Sequence, residues 1–179
     1  MKSVRSQQHK EAPVADPFFG FYISKGHKRV PPADHPELAF FINLSGTLRI
    51  DLVVPDEPGP YYENDLKVRS DARIVNVRLE DCVYEDGTRK HRRLTLEEYS
   101  RVAFRGESIR LKSQSGEVVS HRALNGSYFT VYELLCAVEE TERRTRANSE
   151  WLGGIDIRHI YFEGLEQGDD DVWETRWGS

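Results

Sequence analysis

A chain of 179 residues that is 38% hydrophobic and 31% charged, with a net charge of −5, has the size of one soluble globular domain under an ion-rich surface. Its longest unbroken apolar run is five residues, Leu38 to Ile42, against the ~20 needed to cross a bilayer, and no apolar stretch of signal-peptide type follows Met1. Two cysteines, Cys82 and Cys136, supply neither a disulfide framework nor a four-ligand zinc site, so no metal and no cofactor is expected.

Residues 1–30 carry an excess of four positive charges and show no periodicity at their start, which predicts a flexible basic N-terminal arm ahead of a single domain over 31–179. Pro31, Pro32 and Pro36 then interrupt the chain, and Pro55, Pro58, Gly59 and Pro60 interrupt it again. Between these breaks, Leu48, Ile50 and Leu52 alternate with Arg49 and Asp51, the period of two that marks a half-buried strand over Thr47 to Val54. Arg73 to Leu79 repeats the pattern, with Val75, Val77 and Leu79 on one face.

Two helix starts follow. Thr95-Leu96-Glu97-Glu98 and Thr130-Val131-Tyr132-Glu133 both fit the capping box, and Phe129 with Leu134 supplies a hydrophobic staple to the second. Val131, Leu134, Leu135 and Val138 then form one apolar stripe. Glu139/Arg143, Glu140/Arg144 and Glu142/Arg146 are three i,i+4 ion pairs that explain the charge run without a partner. Ile109 to Leu111 and Glu117 to His121 are weaker strand candidates. After Gly153-Gly154, Ile155 to Phe162 reads as a strand, and Val172 to Trp177 as its antiparallel neighbour across an acidic loop. Strands in runs with two main helices predict an α+β domain with an antiparallel or mixed sheet.

Three segments resemble a domain family of unknown function found in many basidiomycete fungi. Pro36-Glu37-Leu38 with Leu48-Arg49-Ile50-Asp51-Leu52-Val53-Val54-Pro55 is similar to its opening motif. Thr130 to Val138 is similar to its central "TV.DvL.AI" helix start, and Gly154 to Trp173 to its "F.GL…d.W" ending. The order and spacing agree over residues 35–177, while a Trp-Pro-like element of the family is missing after Leu79. The resemblance implies a compact α+β domain in a fungal, intracellular protein, and it transfers no active site.

Among candidate chemical groups, His159 stands out. On a regular strand it shares a face with Ile155, Ile157 and Tyr161, while Asp156 points the other way and cannot share a ligand with it. A hydrogen-bonded structural histidine is the first reading, and a pocket role as acid, base or ligand contact the second. Cys136 lies off the apolar stripe, where a second buried face explains it better than a reactive thiol; pairing Cys136 or Cys82 with His121 or His159 needs a contact made by the fold. Trp173 and Tyr132 are candidate ligand-binding aromatics, with Trp151 and Trp177 as further aromatics for core or rim. The run Arg89-Lys90-His91-Arg92-Arg93 is the candidate anion site, yet the chain is acidic and no aromatics interleave with the run, so nucleic acid is disfavoured. Asp169-Asp170-Asp171 with Glu166 reads as a solvated turn.

These signals describe core and caps, and no catalytic motif accompanies them. The expectation is a cytoplasmic protein-interaction or self-association module, with a homodimer as one form and the nucleus as the alternative compartment. The competing class is a small enzyme or small-molecule binder with a pocket of His159, Tyr161 and Trp173. A nucleic-acid binder acting through residues 89–93 comes third.

Overall fold

The two clearest alternating runs form the longest strands and pair with each other. In the computed structural model, which describes residues 29–53, 73–85, 90–148 and 155–179, β1 (Ser45–Val53) and β2 (Arg73–Glu85) are antiparallel, with Leu48 opposite Leu79 and Ile50 opposite Val77. The register shifts between Asp51 and Leu52, leaving Val75 without a partner opposite. One extra residue reverses the alternation, so Ile74 turns to the core and Val75 to solvent. Val75 therefore does not share the buried face expected of it.

Beyond a short strand, β3 (Lys90–Arg92), come α1 (Leu96–Ser100), β4 (Val102–Arg105), β5 (Ser108–Lys112), β6 (Val118–Arg122) and β7 (Tyr128–Thr130). Then follow α2 (Val131–Thr145), β8 (Tyr161–Gln167) and β9 (Val172–Gly178). Seven strands make one sheet in the order β3-β2-β1-β8-β9-β5-β6, and β4 pairs with β7 in a separate two-stranded ladder. Within the seven, β5 and β9 run parallel and the other neighbours antiparallel, so the sheet is mixed. The described residues are mostly sheet. Of the two main helices expected, α2 has fifteen residues while α1 has five, a single turn.

Both capping boxes form. The Thr95 hydroxyl accepts from the Glu98 N–H at 3.2 Å and the Glu98 carboxylate accepts from the Thr95 N–H at 2.9 Å. Thr130 and Glu133 do the same at 3.2 and 2.7 Å. Val131, Leu134, Leu135 and Val138 are buried as one stripe, and they meet Leu48, Val77, Leu111, Phe129, Phe162 and Trp177 in the core. The N-terminal arm lies outside the described residues as far as residue 28. Arg29, within the expected arm, is tied down: its N–H donates to Asn43 Oδ1 at 2.9 Å and its guanidinium sits 3.8 Å from Glu163.

The strand expected over Ile155 to Phe162 begins only at Tyr161. Asp156 is the reason. Its Oδ1 accepts from the N–H groups of Arg158 and His159 at 2.9 and 3.1 Å, a turn that competes with extended pairing. Arg146 donates to the carbonyls of Asp156 and His159 at 3.2 and 2.9 Å and so occupies acceptors a neighbouring strand would need. The antiparallel partnership with β9 holds for β8, where Tyr161 faces Gly178 and Gln167 faces Trp173.

Candidate functional sites

The turn at Asp156 also overturns the facing rule applied to His159. Asp156 and His159 are side by side, His159 Nδ1 lying 2.8 Å from Asp156 Oδ2. Behind them stands a buried ion network. Arg146 Nε lies 2.8 Å from Glu142 Oε2 and Arg146 Nη1 lies 3.6 Å from Asp156 Oδ2, with all three side chains 0% exposed. Glu142 Oε1 accepts from Trp177 Nε1 at 3.0 Å, from Thr175 Oγ1 at 3.2 Å and from the Gln114 N–H at 3.2 Å. The Arg146 guanidinium lies 5.2 Å from the Trp177 ring centroid. Burial by itself would raise the Asp156 carboxyl, but the Arg158 and His159 N–H groups, the His159 ring and Arg146 together hold it below the usual carboxylate range. The Asp156 carboxylate thus joins His159 to the turn and to the buried Arg146.

The pocket imagined around His159, Tyr161 and Trp173 is not assembled. Tyr161 pairs with Gly178 at one end of the β8–β9 hairpin and Trp173 with Gln167 at the other, about 17 Å apart at ~3.3 Å per residue. Trp173 instead lines a different cleft, about 430 Å³ in volume, together with His35, Phe104, Arg110, Asp170 and Asp171. His35 stacks on Phe104 with centroids 4.7 Å apart and meets Trp173 edge-on at 5.3 Å. Its Nδ1 lies 3.3 Å from Glu37 Oε1, which also accepts from the Arg105 N–H at 2.9 Å. Sequence reasoning missed His35, because its neighbours in space come from β4 and β9, far along the chain. Tyr132 is not part of this cleft; it is largely exposed and meets Tyr99 edge-on at 6.0 Å.

Cys136 is exposed on α2, not on a second buried face, because the sheet covers a single stripe of that helix. Partial cover of its sulfur by neighbouring side chains, with the nearby Glu139 and Asp81, pushes the thiol up against a lowering hydrogen bond from Tyr132, so it stays protonated at neutral pH. His121 is bonded to Thr141 Oγ1 at 2.7 Å and its burial lowers its basicity. His159 is bonded to Asp156, and the Cys82 side chain lies outside the described residues. No group of three or more His, Cys, Asp or Glu among the described residues could hold a metal ion.

The 89–93 run divides. Arg89 and the Lys90 side chain lie outside the described residues, and Arg93 is exposed. Arg92 is committed to the fold, its two terminal nitrogens each 2.7 Å from a Glu98 oxygen. This bidentate pair is the first reason the Glu98 carboxyl is lowered to about 2; burial opposes it and the Thr95 N–H adds to it. A lowered carboxylate contributes stability above its unfolded value near 4.5 and loses it as pH falls towards 2. Glu98→Gln is therefore expected to cost about 1–2 kcal/mol at pH 7, screening by solvent around Arg92 included, and only a few tenths of that at pH 2, where the carboxyl is half protonated. Urea titrations at the two pH values check this, and an equal loss at both would refute it.

The sheet has two outer strands, and they differ. β3 is three residues long and reads Lys-His-Arg, the short, basic edge that resists further pairing. β6 has five residues, no proline, no lysine and no bulge in its pairing with β5. Its outward groups follow from the ladder. Ser113 N–H donates to Glu117 O and Ala123 N–H to Glu107 O, both at 2.9 Å, so odd-numbered residues of β6 bond to β5. The N–H and C=O groups of Val118, Ser120 and Arg122 consequently point away from the sheet, and among the described residues no strand pairs with them. One face of β6 packs through His121 onto α2; the other exposes Val118.

No protein-family model matches the chain, and no curated protein or solved structure matches it either. No described helix is long and apolar enough to cross a membrane.

Proposed function

We propose that this protein is a self-association module whose docking element is the free edge of β6, joined antiparallel to β6 of a second copy. The observation that carries the reading is the row of outward backbone groups on Val118, Ser120 and Arg122 at an edge with no proline, lysine or bulge. A twofold axis at Ser120 sets Ser120 opposite Ser120 and Val118 opposite Arg122 of the other copy, so all three outward-facing pairs meet as hydrogen-bonded pairs. Val118 and Leu124, 43% and 90% exposed, lie at opposite ends of this edge. An antiparallel second copy brings the Val118 end of each beside the Leu124 end of the other. Glu117 and Arg122 carry opposite charges at those same ends, which favours the antiparallel arrangement over the parallel one.

Strand pairing alone buries less than the roughly 1,000 Å² of a stable interface, so the dimer is weak and concentration-dependent. Sedimentation is expected to show mass rising from 20.7 kDa towards twice that value as concentration increases. Ser120→Pro removes an outward N–H and should hold the protein as a folded monomer. Val119→Pro removes an N–H that bonds β5 and should unfold the strand, at a cost of about 3 kcal/mol or more. A wild-type protein that stays monomeric at every concentration, or a Ser120→Pro variant that dimerises as well as wild type, overturns the reading.

A further inference from the structure

The longest strand lies at the other margin of the sheet from β6. β2 runs from Arg73 to Glu85, while β3 pairs only with Val83, Tyr84 and Glu85, so among the described residues no strand lies beside the outer side of residues 73–82. The direction of its backbone groups follows from the neighbouring ladder. Leu48 N–H donates to Ile160 O at 2.7 Å, away from β2, so Leu48 and Leu79 face each other without exchanging bonds. The N–H and C=O groups of Val77, Leu79 and Asp81 therefore point outward, a row of the kind that templates another strand. Two α2 side chains meet that row. Leu79 N–H donates to Glu139 Oε2 at 2.9 Å, and Arg143 Nη2 lies 3.5 Å from the Val77 carbonyl oxygen and 2.6 Å from Glu139 Oε1. The carboxylate and the guanidinium stand where one residue of an added parallel strand would place its C=O and its N–H.

We infer that the Glu139–Arg143 pair seals the β2 edge against a second copy of this chain and so stops self-association at two copies. What the seal limits rests on the β6 dimer proposed above; the seal itself stands on the Leu79 bond. Joined through β6, two copies present β2 and β3 at both outer margins of the shared sheet. A second antiparallel contact there would set Leu79 opposite Leu79 and Val77 opposite Asp81. Two different twofold contacts on each copy do not close, and they extend the sheet into a filament. β3 protects its own three positions by its length and charge. Residues 76–82 contain no proline and no lysine, so the protection there comes from α2. The i,i+4 spacing that pairs Glu139 with Arg143 sets both at the level of Val77 and Leu79.

Two measurements on the full chain test the seal. In dilute solution Glu139→Ala is expected to speed exchange of the Leu79 amide hydrogen with solvent by about tenfold or more, while Glu139→Gln, which keeps a side-chain carbonyl as acceptor, should stay within about threefold of wild type. The second measurement is mass by sedimentation. With the β6 edge blocked by Ser120→Pro, adding Glu139→Ala and Arg143→Ala together should turn the 20.7 kDa monomer into a dimer as concentration rises. In the chain with Ser120 intact, the same two substitutions should carry assembly past two copies. Unchanged Leu79 exchange in Glu139→Ala, or a triple variant that stays monomeric at every concentration, overturns the inference. A wild-type chain that is monomeric throughout removes the β6 dimer alone; Glu139→Ala with Arg143→Ala should then still dimerise through β2, and failure to do so overturns the seal as well.

Discussion

Arg146→Ala is expected to destabilise the protein by about 3–5 kcal/mol, a large share of the 5–15 kcal/mol or so by which a typical domain is stable. The cause is what the substitution leaves behind. Glu142 and Asp156 are fully buried carboxylates whose cationic partner of fixed charge, among the described residues, is Arg146. Glu142 keeps its bonds to Trp177, Thr175 and Gln114, and Asp156 keeps its turn, yet two charges remain in a dry interior. Adding Glu142→Gln to Arg146→Ala should therefore recover part of the loss, and a double-mutant cycle in urea measures that coupling. Arg143→Ala is the control at the same spacing: its pairs with Glu139 and Glu140 are solvent-exposed and worth a few tenths of a kcal/mol. A loss below about 1 kcal/mol for Arg146→Ala would show that the network does not hold the fold.

Gly164→Ala is the second large effect, about 2–4 kcal/mol. Glu163 and Gly164 together face the single Arg176, a bulge in which Gly164 takes a φ of 101°. A Cβ there would stand 2.5 Å from the Ile42 carbonyl oxygen and 2.6 Å from Arg29 Nη1. The guanidinium can move; the carbonyl belongs to the backbone that follows the Pro36–Ala39 segment and cannot move without disturbing Phe41 and Ile42 in the core. Gly116→Ala separates strain from collision, since Gly116 also has a positive φ, 90°, with nothing near its missing Cβ. It should lose only about 1 kcal/mol. Equal losses at the two positions would mean that the close approach at Ile42 is relieved at no cost.

What the sequence made legible was local. Each capping box lies within four consecutive residues, and both formed as read. The three Glu–Arg pairs also formed, but spacing could not distinguish the third from the other two. Glu142 and Arg146 are set apart by Thr175 and Trp177, which arrive from β9 some 30 residues later. Asp156 was misplaced because alternation was extended through a residue whose side chain prefers to bond the next two backbone N–H groups. The aspartate itself was the signal, being depleted in strands. The cleft was half visible: Trp173 was singled out, while His35, Phe104 and Arg110 carry no pattern until β4, β5 and β9 are brought together. The free edge was invisible, since the outer strand of a sheet is decided by pairing order and not by its own residues.

That pairing order has a consequence for how the chain is made. β9, the last of the described strands, sits between β8 and β5 and is the only described link between the β3-β2-β1-β8 half of the sheet and the β5-β6 half. While the chain emerges from the ribosome, β1 and β2 can meet early, and so can β5 and β6, but their strands cannot be joined into one sheet until residues 172–178 have been released. Trp177 arrives in that same segment, so the buried Glu142 and Arg146 gain this covering only once residues 172–178 have emerged. Nascent chains stalled before residue 172 should therefore be cut by protease in α2, and chains released beyond residue 178 should resist.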